Sequence, residues 1–224
     1  MHSILPALVS LLFLSYGTYI LHTRGVSRIS LILFALCGTT FCWQFIWAVL
    51  FQIHDEHEAL TLVKLGYLLL LFLPSTLYHF VTELTARRDE RRWVELSYLV
   101  AGLLGIVLLS SDLLIDGLYP YFFGFYPKAG ALHPLHILQT CIVVSRSLWL
   151  LYRSQRLALM AEKSRLRYCL AGMLIYFFAS VDYLCNYGIQ FYPPGALFIA
   201  TSLGLIAQAM VRQQLLADPR EVEL

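Results

Sequence analysis

Apolar stretches about as long as a bilayer is thick dominate this chain. A spanning helix needs about 20 mainly apolar residues, and such segments run near 4–22, 29–52, 59–84, 93–115, 134–153, 168–189 and 195–214. The expected fold is therefore all-α: a polytopic membrane protein whose residues 1–214 form one seven-transmembrane helix bundle, with a short tail over 215–224. Composition closes off the soluble alternative. With 59% hydrophobic and 13% charged residues, and a mean hydropathy of +0.69, the chain has too few polar side chains to coat a water-exposed surface.

The connections alternate in charge. Arg24 and Arg28 follow the first segment, the acidic run His54-Asp55-Glu56-His57-Glu58 the second, and Arg87, Arg88, Arg91 and Arg92 the third. The loop 116–133 has Lys128 as its one Lys or Arg, whereas Arg153, Arg156, Lys163, Arg165 and Arg167 surround the next connection. An uncharged turn covers 189–194, and Arg212 and Arg220 follow the seventh segment. Every second connection is basic, which the positive-inside rule reads as N-terminus out and C-terminus in. The bilayer itself is the first expected partner. The apolar start, 1–22, lacks a basic leader and a small-residue cleavage site and reads as a retained helix. Trp93, Tyr119, Tyr121, Tyr126, Tyr168, Tyr187 and Tyr192 fall near segment ends, where aromatic rings anchor in the headgroup region. The five cysteines lie in apolar stretches without a Cys-x-x-Cys pair and read as small hydrophobes.

Polar side chains at depth are costly and are therefore the candidate site. Lys64, Tyr67, Leu71, Ser75, Tyr78 and Thr82 are spaced by three or four and fall on one face of the third helix, which also carries Pro74. At 1.5 Å per residue, Lys64 lies about 7–8 Å inside the outer boundary and Asp182 about 10 Å. Asn186 sits one turn above Asp182 on the sixth helix, and Asp112, near the outer end of the fourth, rivals Asp182 as a partner for Lys64. With Trp43, Gln44 and Trp47 from the second helix, these residues outline an outer-half pocket for a small amphiphile, or an ion pair that holds the bundle together. Glu83 and Arg146 are expected to pair near the inner boundary, where solvation and snorkelling are the plainer reading. Gln208 reads as helix–helix glue.

His54 with His57 and His133 with His136 form two His-x-x-His pairs on the outer side, a weak pattern for a metal or a pH-sensing site. No cofactor is expected. The seventh segment has no lysine for a retinal Schiff base, and the histidines do not sit at the matching depths that haem requires. Nucleotide-binding and hydrolase motifs are absent, so no enzymatic activity is expected. Nothing in the sequence suggests a nucleic-acid partner.

Within the loop 116–132 the core Gly124-Phe125-Tyr126-Pro127-Lys128-Ala129-Gly130 resembles the outer loop between the fourth and fifth helices of the N-terminal seven-helix region of bacterial sensor histidine kinases and some cyclic-di-GMP enzymes. Leu73-Pro74 with Tyr78-His79-Phe80 is similar to the third helix of that family. The resemblance implies a signal-input domain of the bacterial inner membrane that passes a message to a cytoplasmic output such as a histidine kinase; separately, the turn chemistry of Pro127 to Gly130 and the rings around it make the loop a lid or a structural cap over the bundle. The 224 residues contain no phospho-acceptor helix and no nucleotide-binding segment, so the output is expected on an adjoining or separate partner. A homodimer remains open, as do two other functions: a small transporter or permease, and a metal or proton sensor on the outer histidines.

Overall fold

The computed structural model describes residues 2–217; most of the tail expected over 215–224, with the helix stop at Pro219, lies outside them. Seven α-helices run through the described residues: α1 (Ile4–Arg24), α2 (Arg28–Leu50), α3 (Glu56–Leu84), α4 (Arg91–Ser110), α5 (His133–Leu157), α6 (Met160–Phe178) and α7 (Gly195–Ala217). Six helical stretches are long and apolar enough to cross a membrane, and the shorter apolar part of α7 covers Gly195–Met210. The helices pack in sequence order, α1 on α2, α2 on α3, α5 on α6 and α6 on α7, and α7 returns to α1. Helix α3 is the centre. It packs on α2, α4 and α5, and the face predicted to be polar is the one turned inward, with Tyr67, Ser75, Tyr78 and Thr82 buried.

Local chemistry sets the helix boundaries. Ser27 Oγ accepts the Ser30 N–H at the start of α2, and Asp55 Oδ1 accepts the Glu58 N–H at 2.8 Å to cap α3. The acidic run before α3 is thus a cap and a first turn whose Glu56 and Glu58 favour the helix N-terminus. The basic connection after α5 is shorter than expected, because α5 extends to Leu157 and α6 begins at Met160.

Two departures from an all-helical bundle occur at the same end of the molecule. The expected loop between α4 and α5 folds as an antiparallel hairpin, β1 (Ile115–Tyr121) and β2 (Gly124–Ala129), with Tyr119 opposite Tyr126 and Tyr121 opposite Gly124. In addition, α6 does not continue to 189. It tightens at Ala179 into a 3-10 segment, Ala179–Tyr187, which ends at Gly188 in the left-handed region. A nine-residue 3-10 run is long for a geometry usually held for three or four residues.

Candidate functional site

The hairpin closes over the helix ends with its aromatic residues inward. Phe123 and Tyr126 are 2% exposed, so Tyr126 is a core residue and not the interfacial anchor that its position suggested. Gly124, at φ +131°, lets β2 lie against Phe51: a Cβ there would stand 2.9 Å from Phe51 Cα. Two tyrosines then fasten the hairpin to the 3-10 segment, Tyr121 donating to the Cys185 carbonyl at 2.8 Å and Tyr126 to the Asp182 carbonyl at 3.2 Å. Burial, with the Asp182 charge adding to it, pushes the Tyr126 phenol well above its ordinary range, so that it remains a donor. Lys128 pairs with Asp116 across the base of the hairpin at 3.2 Å.

Beneath Tyr126 lies a cavity of about 60 Å³. Trp43 and Trp47 of α2 and Tyr67 of α3 form one wall, while Tyr176, Phe177, Asp182 and Tyr183 form another. Leu70, Leu73, Pro74 and Leu77 line it along α3, and Thr140 and Val144 along α5. Pro74 lacks the N–H that would bond the Leu70 carbonyl, which places a weakened turn of α3 beside the cavity. Trp43 is 6% exposed, yet its indole N–H has no hydrogen-bond partner.

A polar network stands behind this wall. Asn186 donates through Nδ2 to the Tyr67 hydroxyl, which lies 3.3 Å from His133 Nε2, and His133 Nδ1 is 2.9 Å from the Tyr187 hydroxyl. One proton assignment satisfies the chain: Tyr67 donates to Nε2, and the Nδ1–H of His133 donates to Tyr187. His136 Nε2 meets the Tyr183 hydroxyl at 2.8 Å. Gln44 is buried on α2 but is not among the residues that line the cavity.

The expected site residues thus separate. Trp43, Trp47, Tyr67 and Asp182 line the cavity, and Asn186 supports Tyr67. Lys64 does not reach Asp182. Its Nζ bonds Asp112 Oδ1 at 2.9 Å on the bundle's flank, where the Asp112 side chain is 73% exposed and keeps its hydration. Asp182 turns to α7 instead, and its Oδ1 accepts the Gly195 N–H at 2.9 Å.

The histidine pairs also part. His54 and His57 are exposed around the start of α3, whereas His133 and His136 are fully buried and hydrogen-bonded to tyrosines. Among the described residues no group of three His, Cys, Asp or Glu side chains is placed to hold a metal.

At the other end the expected Glu83–Arg146 pair is replaced by two others. Arg28 holds Glu83 at 3.0 Å, and Arg146 grips Glu90 through Nε at 3.1 Å and Nη2 at 2.5 Å, with the Tyr78 hydroxyl donating to the same carboxylate. Glu90, which precedes α4 in a basic connection and was no part of the expected pair, is 2% exposed. Tyr126, Tyr176 and Tyr183 were not singled out as wall residues. The seven-residue spacing of Tyr176 and Tyr183 is the signal that places both on one face of a helix.

No family model, no curated protein and no solved structure matches this chain.

Proposed function

We propose that this chain is a membrane-embedded signal-input domain that crosses the bacterial inner membrane seven times, N-terminus out and C-terminus in. It binds a small amphiphilic molecule in the cavity beneath the hairpin and shifts the bundle between two states that a cytoplasmic output reads. The observation that carries this reading is the cavity: aromatic walls, a buried carboxylate and an unpartnered indole N–H, closed by a hairpin that hydrogen-bonds to the Asp182 and Cys185 carbonyls. A ligand there touches α2, α3, α5, α6 and the lid together, so its contacts bias their relative positions. The basic residues cluster at the end away from the hairpin, which supports the orientation.

A thermal-shift screen of small amphiphiles on the detergent-purified protein tests the pocket. Stabilisation by a ligand is expected to vanish in Leu77→Trp, which fills the cavity, and to persist in Lys64→Ala, which breaks a pair outside it. A ligand that still stabilises Leu77→Trp while losing its effect in Lys64→Ala would move the site to the bundle's flank.

A transporter is the second reading, favoured by one observation: α6 breaks into a 3-10 segment whose acid faces the start of α7, as broken helices do in ion-coupled carriers. Uptake into proteoliposomes that disappears with Asp182→Asn would replace the receptor by a carrier.

A further inference from the structure

The charge balance of the cavity is one-sided. Asp182 is 6% exposed, and no Lys, Arg or His forms an ion pair with it among the described residues. No cationic side chain lines the cavity either. Lys64, the cation whose depth matches Asp182, is engaged with Asp112. What Asp182 has is the Gly195 N–H, one dipolar partner at the start of a helix, which favours a carboxylate without cancelling its charge. A carboxyl kept this dry either holds a proton or gains a counter-ion, and an entering cation supplies the second.

The remaining walls show what kind. Trp43, Trp47, Tyr67, Tyr126, Tyr176 and Tyr183 all face the same space, and the Trp47 ring centre lies 5.7 Å from that of Tyr126 and 6.2 Å from that of Tyr67. Aromatic faces carry negative potential, and a box of them attracts an organic cation while repelling an anion. A hydrated metal ion finds only one carboxylate here, whereas an alkylammonium needs no further ligands. With about 60 Å³ against the roughly 10–15 Å³ that one water needs, the cavity has room for a small organic group.

We infer that the cavity beneath the hairpin is a binding site for a small alkylammonium head group, with the aromatic walls as its cage and Asp182 as its counter-charge. The inference rests on the receptor reading of this cavity and names the class of ligand. The Trp43 N–H adds a place for a hydrogen-bond acceptor on the same molecule, such as the hydroxyl of an ethanolammonium.

Choline and 3,3-dimethylbutan-1-ol form the decisive pair, because they share one shape and differ in a quaternary nitrogen replaced by carbon. Titrated into the purified full chain, choline is expected to raise the melting temperature in a saturable way and the neutral alcohol to do so at least tenfold more weakly. Asp182→Asn, which keeps an oxygen for the Gly195 N–H, is expected to melt close to wild type without ligand and to lose the choline response. Trp43→Leu is expected to weaken that response with the Asp182–Gly195 contact intact.

Equal stabilisation by choline and the alcohol would overturn the ammonium assignment and leave the pocket reading standing. A choline response unchanged in Asp182→Asn would do the same, reducing Asp182 to a cap for α7. No response to choline in a protein that other amphiphiles stabilise, with loss in Leu77→Trp, would likewise remove the ammonium and keep the receptor. Silence towards every amphiphile would remove both.

Discussion

At the residue scale, the tightest constraint in the site is a hydrogen atom. Gly195 starts α7 with its Cα against the Asp182 carboxylate, and a Cβ there would stand 2.1 Å from Oδ2. Gly195→Ala must therefore push the carboxylate off the Gly195 N–H or shift α7, at an overpacking cost of about 1–3 kcal/mol. The expected result is a lower melting temperature in detergent, while Gly204→Ala, where nothing lies within 4 Å, leaves it unchanged. Equal melting of the two variants would show that Asp182 moves freely. A second residue-scale prediction concerns Glu90, buried at 2% beneath an Arg146 side chain that is 43% exposed. Removing the cation strands the buried carboxylate, whereas removing the acid lets Arg146 extend to the headgroups. Arg146→Met is expected to cost about 2–3 kcal/mol, Glu90→Gln distinctly less, and the double variant less than the sum. Denaturant unfolding of the four proteins measures all three terms.

At the scale of elements, the hairpin is held by two phenol-to-carbonyl bonds and by packing, and these respond differently to substitution. Tyr126→Phe keeps the ring against Trp47 and loses the bond to the Asp182 carbonyl, an expected cost of about 1 kcal/mol. Gly124→Ala disturbs the backbone itself, by its positive φ and its approach to Phe51, and is expected to loosen the whole lid. Faster amide exchange over 115–129 in Gly124→Ala than in Tyr126→Phe is the outcome that would bear this out; the reverse order would assign the closure to the hydroxyl. The helices were readable because hydropathy is a composition averaged over about 20 residues, and the inward face of α3 because Tyr67, Ser75 and Tyr78 recur at helical spacing. The hairpin was not, since the Gly- and Pro-containing run 116–130 has turn chemistry at many positions and its pairing is fixed by Phe51, Tyr192 and the 3-10 segment beneath it. The 3-10 break was equally hidden, because 168–189 is mainly apolar, with neither a proline nor a charge run to mark it, and the tightening answers to the hairpin and to α7. Pairings were legible only as alternatives: depth along the bilayer left Asp182 and Asp112 as rival partners for Lys64, and the fold brings Asp112 to it.

For the whole molecule, the parity of the crossings decides whether the proposed site faces the same side as the N-terminus. Helices α3 and α5 run antiparallel to α4, so the hairpin after α4 and the Arg87–Glu90 contacts before it lie at opposite ends whatever the total count. Tyr192 donates to the His2 carbonyl at 2.7 Å, and the His2 and Phe122 ring centres are 5.6 Å apart, so the N-terminus is at the hairpin's end. If α7 completes a seventh crossing, the C-terminus emerges at the other end, with Arg153, Arg156 and the arginines before α4. On the proposed orientation that end is cytoplasmic, beside the proposed output. The five native cysteines are free and buried or half-buried, so they can be replaced with serine or alanine before new ones are introduced. In whole cells a membrane-impermeant maleimide is expected to label Ser3→Cys and Lys128→Cys directly, and Arg88→Cys and Arg156→Cys only after permeabilisation. A cysteine appended at the C-terminus is expected to follow Arg156→Cys. The mirror pattern would invert the orientation and turn the cavity towards the cytoplasm. A C-terminal cysteine that instead labels with Ser3→Cys would mean an even number of crossings, with α7 ending on the side of the hairpin and only the connections between helices left on the basic side to carry the signal.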